Sequence, residues 1–141
     1  MVAVRRAGGG DWAAIGQVGG ESWHAAYRGP LRRGHRRGTR PGREALGRGF
    51  AAQPGHSPLV AVSAGTVIGF AAFGPERLPR TGVASEDPQA ESYAIHVPPQ
   101  HWSAGAGRAL LRQVVAECRA SRYGSIGLWV LEGNARACRF Y

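Results

Sequence analysis

The stretch "HVPPQHWSAGAGRALL", which runs from His96 to Leu111, decides how the rest of the chain can be interpreted. It ends an apolar strand with Pro98 and Pro99, crosses a loop of small residues and enters a helical pattern. Proline lacks a backbone N–H, so this pair ends the hydrogen-bond ladder of the strand. Unpaired N–H groups at the start of the following helix would favour a phosphate or another anion. Glycine at a helix start also has a packing explanation, and the loop by itself leaves both open.

The flanking sequence predicts a mixed α/β chain that contains a β-α-β crossover. Two β-rich runs joined at Ala64-Gly65 are typical of an antiparallel hairpin. A strand, a helix with one apolar face and a second buried strand follow, and a parallel connection of this kind is right-handed. The expected elements are a strand in residues 1–7, helices after Asp11 and over Glu21 to Arg28, strands over Leu59 to Ser63, Thr66 to Phe73 and Glu91 to Val97, a helix from Gly105 to about Ser121, a strand within residues 124–133 and a last helix that Asn134 can cap.

The 141 residues suffice for one domain with a core, so residues 1–141 are expected to form a single domain. No apolar run approaches the roughly 20 residues that cross a bilayer, and the N-terminal stretch lacks the apolar centre of a signal peptide. These features predict a cytoplasmic protein without a membrane partner. Cys118 and Cys138 lack metal-type spacing, so we expect buried thiols and no bound metal.

The positive charge is concentrated between Arg28 and Arg48, where eight arginines accompany the single acid Glu44. The whole chain carries a formal net charge of +9. This Arg/Gly-rich segment, residues 28–50, has little periodicity, so we expect it to be irregular apart from a turn or two of helix over Arg43 to Phe50. Basic segments bind nucleic acid through its phosphates, which makes a nucleic-acid-binding module an alternative function. Aromatic residues that could stack on bases occur only at the edges of the segment, which disfavours a nucleic-acid partner.

Two segments together resemble the GNAT N-acetyltransferase superfamily. They are "ESYAIHVPPQHWSAGAGRALL" and, some twenty residues later, "LWVLEGNARACRFY". The acyl-CoA loop of that family, Q/R-x-x-G-x-G/A, falls on Trp102 to Gly107. The stretches "VRRAGGGDWAAI" and "ESWHAAYRGPL" resemble its first strand and first two helices, so the resemblance covers most of the chain except residues 32–50. It implies a three-layer fold whose central sheet is mostly antiparallel, with one parallel crossover.

The resemblance also implies acetyl-CoA as a co-substrate. Pantetheine would lie beside the strand over Glu91 to Val97 as if it were an extra strand, pairing with backbone groups of Ile95 and Val97. The amides of residues 103–108 would hold the diphosphate. The implied cofactor-binding residues are Ile95, His96, Val97, Ser103, Ala104, Gly105, Ala106, Gly107, Arg108 and Asn134.

The implied reaction is direct attack by a primary amine on the thioester. A backbone N–H on residues 95–97 would stabilise the oxyanion. Tyr141 would protonate the leaving sulfur, unless it is an aromatic that only packs the last helix. Glu91 would act as the base through water, the alternative being a solvated carboxylate at the end of a strand. A covalent route through Cys138 is disfavoured, since no histidine lies near it in sequence.

Three residues could contact the acceptor, and each of them also has a structural explanation. Trp23 and Tyr27 match the region that closes over the acceptor in the resembling family, but an aromatic pair four residues apart is also typical of a core. The side chain of His96 should lie on the opposite face of its strand from Ile95 and Val97. It could therefore be a packed histidine or an acceptor contact.

Two features depart from the family pattern. Trp102 occupies the position where the motif has Gln or Arg. The sequence also stops at Tyr141, inside the last recognisable motif, so we expect a sheet without the last two strands of the family. An exposed sheet edge favours pairing and leaves a homodimer open. A non-catalytic or truncated acyl-CoA-binding protein is accordingly an alternative to an active enzyme.

Overall fold

A computed structural model describes residues 1–26, 42–52, 58–76, 89–128 and 135–141. These residues form five strands, four α-helices and two short 3-10 turns, at Gly9–Asp11 and Pro99–His101. The strands and helices, in chain order, are β1 (Ala3–Arg6), α1 (Trp12–Ala26), α2 (Arg43–Ala51), β2 (Leu59–Ser63), β3 (Thr66–Pro75), β4 (Gln89–His96), α3 (Ala106–Ala120), β5 (Ser125–Leu128) and α4 (Ala135–Phe140).

The five strands form one sheet in the order β1-β2-β3-β4-β5. Neighbours pair antiparallel except β4 and β5, which are parallel and joined through α3. The last described pair between β4 and β5 joins Ser92 to Leu128. Beyond it, β4 continues along β3 as far as the pair between His96 and Phe70. The mostly antiparallel sheet with one parallel crossover is therefore confirmed.

Apolar side chains cover both faces of the sheet, which gives three layers. On one face, Leu110, Val114 and Cys118 of α3 pack against alternate residues of β2, β3 and β4. On the other face, Ile15 and Val18 of α1 pack with residues that include Phe70. The period of α3 places its buried residues four apart, so a single stripe of the helix meets the sheet. The predicted three-layer fold is confirmed.

The structure corrects the sequence prediction before residue 28. One continuous helix, α1, spans Trp12–Ala26 where two shorter helices were predicted. Glycine lowers helix propensity, but Gly16 lies where the helix meets α2. A Cβ atom at Gly16 would overlap the carbonyl oxygen of Arg43, and one at Gly47 would overlap that of Trp12. The missing side chains therefore allow backbone-to-backbone contact between α1 and α2, and this packing outweighs the propensity cost.

The predictions for the Arg/Gly-rich segment and for the two cysteines are each confirmed only in part. The helix over Arg43 to Phe50 is confirmed as α2, while most of the Arg/Gly-rich segment lies outside the described residues. Cys118 is buried as predicted, but the prediction for Cys138 is wrong, because it is exposed. The Asp11 carboxylate accepts a hydrogen bond from the Gly8 amide at 2.6 Å and pairs with Arg5 at 2.7 Å. Within the described ranges, no helix combines the length and apolar character needed to cross a membrane.

Candidate functional site

A cleft of about 610 Å³ lies where the end of β4, the start of α3 and helix α4 meet. Side chains and backbone from α1 and from the turn before α3 also line it. The lining residues are Ser22, Ile95, His96, Val97, His101, Trp102, Ser103, Gly105, Ala106, Gly107, Arg108, Arg136, Arg139, Phe140 and Tyr141.

The turn before α3 presents the helix N-terminus to this cleft. Gly105, the residue before the first helical position, has φ of 87°, and Ser103 has φ of 68°. Left-handed backbone favours glycine, and no described atom lies within 4 Å of the place where a Cβ atom at Gly105 would stand. The Gly105 carbonyl accepts the Ala109 amide at 3.0 Å, which leaves the amides of the first turn without helical partners. These amides belong to residues that line the cleft.

The side chain of Trp102 ties this turn to the end of β4. Its indole Nε1–H donates to the Val97 carbonyl oxygen at 2.8 Å. The Arg136 guanidinium stacks over the Trp102 ring, with its central carbon 3.8 Å from the ring centre. Such cation–π contacts hold a guanidinium in place while its N–H groups stay available. Trp102 thus positions both the loop and one cationic side chain of α4.

Helix α4 closes the cleft against the start of α3. A Cβ atom at Gly107 would lie 3.3 Å from the Phe140 ring, so glycine permits the close approach of this ring. The rings of Phe140 and Tyr141 meet edge to face with centres 5.0 Å apart. Tyr141 is half exposed, and the burial of its remaining surface raises the pKa of its hydroxyl above the ordinary value. The phenol is therefore protonated at neutral pH.

The charge of the cleft is positive. Arg108, Arg136 and Arg139 line it, together with the two histidines, and no Asp or Glu belongs to the described lining. Positive charges in a concave, partly apolar site attract an anionic ligand over distance. The helix N-terminus adds to this potential. The cleft is accordingly suited to a ligand with phosphate groups.

A family comparison bears on what that ligand is. The profile of the acetyltransferase (GNAT) family matches residues 21–141. The chain belongs to the GNAT acetyltransferase family. GNAT acetyltransferases use acetyl-CoA and an amine acceptor.

Individual relatives agree with this assignment. An uncharacterized N-acetyltransferase of Bacillus subtilis, YuaI, is 37% identical over 70 residues, which are 50% of this chain but only 38% of the length of YuaI. The BH1408 protein of Bacillus halodurans, in a tetramutant form, superposes with a TM-score of 0.74 at 20% identity, covering 99% of this chain and 89% of its own. The aminoglycoside N-acetyltransferase AAC(6')-Iy, solved with CoA, gives a TM-score of 0.73 at 14% identity, with coverages of 99% and 84%. At these identities the two structures support the fold alone.

Most of the residues that the resemblance implied for the GNAT cofactor site lie together in the cleft. Ile95 and Val97 pack toward α3, whereas His96 lies on the opposite face with its ring 5.4 Å from that of Phe70. Ala104 belongs to the same loop but does not line the cleft. Those that do line it are Ile95, His96, Val97, Ser103, Gly105, Ala106, Gly107 and Arg108, and Tyr141, predicted as the acid, lines it as well.

Glu91 is placed differently from these residues. It is 3% exposed and lies between Gly74 of β3 and Gly127 of β5 in the sheet. The alternative of a solvated carboxylate at a strand end is therefore wrong, because Glu91 is buried and β4 begins two residues before it, at Gln89. Glu91 is also not among the residues that line the cleft.

Three residues of the sequence prediction have no described side chain. The backbone of Trp23 belongs to α1, but its side chain lies outside the described part of the chain. Tyr27 and Asn134 lie outside the described residues altogether. Their predicted roles toward the acceptor and the cofactor stay predictions.

The structure adds lining residues that sequence reasoning missed. Ser22 is 6% exposed, and its hydroxyl makes no hydrogen bond to any described residue. Nothing in the local sequence distinguishes it, because a serine inside a helix has no recognisable signature. Arg136 and Arg139 carried a usable signal, since arginines three apart on a short helix share a face. His101 and Phe140 complete the missed residues.

The cleft also offers a test of cofactor type. Among the described residues, no three His, Cys, Asp or Glu side chains form a group that could hold a metal ion. The residues around Gly105 fit a diphosphate, because they combine an open helix N-terminus with nearby arginines.

Proposed function

We propose that this protein is an N-acetyltransferase that transfers the acetyl group of acetyl-CoA to a primary amine by direct attack. The observation that carries the proposal is the turn at Gly105, whose left-handed backbone leaves the start of α3 open to the cleft. The acceptor class is a small amine, or an N-terminal or side-chain amine of a larger molecule.

The two parts of the cofactor would use different features of the cleft. The amides of residues 103–108 would hold the diphosphate, with Arg108 as a charged contact. Pantetheine would pair with backbone groups of Ile95 and Val97. The Val97 carbonyl already accepts the Trp102 indole N–H, but a carbonyl oxygen has two lone pairs, so one acceptor site remains.

The chain would supply two contributions to the chemical step. A backbone N–H on residues 95–97 would stabilise the thioester oxygen as it becomes negative. Tyr141 would give its proton to the leaving sulfur. The burial that raises the pKa of Tyr141 keeps this proton in place at neutral pH until a thiolate forms beside it.

A binding experiment tests the cofactor site. Acetyl-CoA is expected to raise the melting temperature of the wild-type protein, and Gly105→Glu is expected to abolish the rise, because a carboxylate would occupy the diphosphate position. Gly65→Glu is the matched control, since Gly65 also has positive φ, at 78°, and also has open space, but lies in the β2–β3 turn. Equal responses of the two variants to acetyl-CoA would contradict the site, and absence of any wild-type response would contradict the function.

A turnover experiment separates the enzyme from a protein that only binds acyl-CoA. Thiol release from acetyl-CoA is measured with an alanine-terminated peptide amide and with kanamycin as acceptors. Tyr141→Phe is expected to lower kcat about a hundredfold with little change in the affinity for acetyl-CoA, because it removes only the proton donor. Binding without amine-dependent thiol release would favour the non-catalytic alternative.

A further inference from the structure

We infer that Arg136 of α4 binds a phosphate group of acetyl-CoA, and that the ring of Trp102 holds the Arg136 guanidinium in place for this contact. The inference rests on the proposed function and adds a cofactor contact from an element distant in sequence from the Gly105 turn. Trp102 occupies the position where the motif of the family has Gln or Arg. A guanidinium from another helix lies against this tryptophan, so positive charge reaches the turn from α4.

The first observation is the contact between the two side chains. The central carbon of the Arg136 guanidinium lies 3.8 Å from the centre of the Trp102 ring. An arginine loses rotamer entropy when a ligand fixes its side chain, and a contact that has already fixed the guanidinium lowers this cost of binding. The stack therefore prepares Arg136 for an anionic ligand.

The ring that holds Arg136 is itself anchored. Its indole Nε1–H donates to the carbonyl oxygen of Val97, the residue directly after β4, at 2.8 Å. Trp102 also belongs to the turn before α3, three residues ahead of Gly105. The guanidinium is therefore positioned relative to this turn and to the end of β4, and not by α4 alone.

The second observation concerns the N–H donors of Arg136. Arg136 and Trp102 line the same cleft as Ser103 and Gly105. Arg136 forms no ion pair with any residue that the structure describes. A stacked guanidinium keeps its donors at the edge of its plane, and this planar fork matches two oxygens of one phosphate. The arginine can therefore bind a phosphate without giving up its contact with the ring.

A second stacked arginine shows that the arrangement alone does not make a ligand contact. The central carbon of the Arg48 guanidinium lies 4.8 Å from the centre of the Trp12 ring. Arg48 also pairs with Glu44 at 3.2 Å, and it does not line the cleft. The charge of Arg48 is thus paired within α2. This pair provides a matched control for the contact between Arg136 and Trp102.

Calorimetric titration with acetyl-CoA tests the phosphate contact. Arg136→Ala is expected to raise the Kd about tenfold, because it removes a charge-assisted hydrogen-bonding group. Arg136→Lys keeps the charge but not the planar fork, so it should recover only part of the loss. Arg48→Ala removes the stacked arginine outside the cleft and should leave the Kd at the wild-type level. An unchanged Kd in Arg136→Ala, or an equal rise in Arg48→Ala, would overturn the inference.

Two shortened ligands identify the group that Arg136 binds. If the loss of affinity in Arg136→Ala persists with 3′-dephospho-acetyl-CoA, the arginine binds the diphosphate, and if the loss disappears, it binds the 3′-phosphate. S-acetylpantetheine lacks every phosphate, so its affinity, measured at millimolar concentration by thermal shift, should be equal in Arg136→Ala and the wild type. A similar loss with S-acetylpantetheine would mean that Arg136 only supports the shape of the cleft, which would contradict the phosphate contact.

The positioning role of Trp102 is tested with two variants that both lack the indole N–H. Trp102→Phe keeps an aromatic face for the guanidinium, whereas Trp102→Leu removes it. The Kd for acetyl-CoA should be about fourfold higher in Trp102→Leu than in Trp102→Phe. This difference should vanish when each variant is combined with Arg136→Ala, because the face then has no guanidinium to hold. A difference that persists would show that Trp102 acts through the loop and not through Arg136.

These titrations separate the inference from the function on which it rests. Absence of acetyl-CoA binding by the wild type would contradict the proposed function. Binding by the wild type that Arg136→Ala leaves unchanged would contradict only the inference. Binding that Arg136→Ala weakens for the phosphate-bearing ligands alone, with Arg48→Ala at the wild-type level, would support the inference.

Discussion

Two regions of the molecule depend on glycine, and they use it for opposite purposes. Where α1 crosses α2, Gly16 and Gly47 remove side chains so that two backbones can touch. At the start of α3, no described atom lies within 4 Å of the place where a Cβ atom at Gly105 would stand. In the first region the backbone of the neighbouring helix fills the space, and in the second region the space stays open to the cleft. Open space alone does not mark a ligand site, because Gly20, Gly49 and Gly65 also have it; Gly105 differs from them because it lines the cleft.

The largest expected effect comes from filling the helix crossing. Gly16→Ala and Gly47→Ala each place a methyl group on a backbone carbonyl of the other helix, so the helices must separate. We expect a loss of about 3 kcal/mol or more in the free energy of unfolding, measured by urea denaturation. Gly20→Ala is the control in α1, because no described atom lies within 4 Å of its Cβ position. A loss of similar size in Gly20→Ala would show that helix packing is not the cause.

A smaller effect is expected at the cofactor turn. Gly105→Ala meets no described neighbour, but alanine at a φ of 87° is strained, which should cost about 1 kcal/mol of stability. Gly65→Ala carries the same kind of strain in the β2–β3 turn, with φ of 78°. The two variants should lose similar stability in urea, whereas only Gly105→Ala should also weaken acetyl-CoA binding in a thermal-shift titration. Equal binding by both would mean that the space before α3 is not used.

The contrast between the helix crossing and the turn at Gly105 also shows which features could be predicted from the sequence. The hairpin around Gly65, the crossover through α3 and the turn at Gly105 follow from local signals: alternating apolar residues, paired prolines and glycine before a helical pattern. The continuity of α1 was missed because local propensity counts Gly16 as a weakness. Only the approach of α2, a contact distant in sequence, turns that weakness into a packing advantage.

One side of the cleft could likewise be predicted from the sequence, and the other side could not. The side proposed for the cofactor, from Ile95 to Arg108, is contiguous in sequence and could be found from one motif. Its other side is assembled from α1 and α4, so Ser22 and Arg136 could be recognised only once the topology brought them together. Glu91 shows a different kind of error. The sequence placed this polar residue at the end of a strand, but it is buried within β4.

The smallest effect, and one of opposite sign, is expected at Gly49. This exposed glycine lies in α2 two residues after Gly47, and no described atom is within 4 Å of its Cβ position. Alanine there should raise the free energy of unfolding by about 0.5–1 kcal/mol, because it reduces the entropy of the unfolded chain and favours the helix. Urea denaturation of Gly47→Ala and Gly49→Ala in parallel gives the sharpest form of the comparison, since both lie in one helix and differ in what faces them. If both variants shift stability in the same direction, the close contact of α2 with α1 is not what requires glycine at position 47.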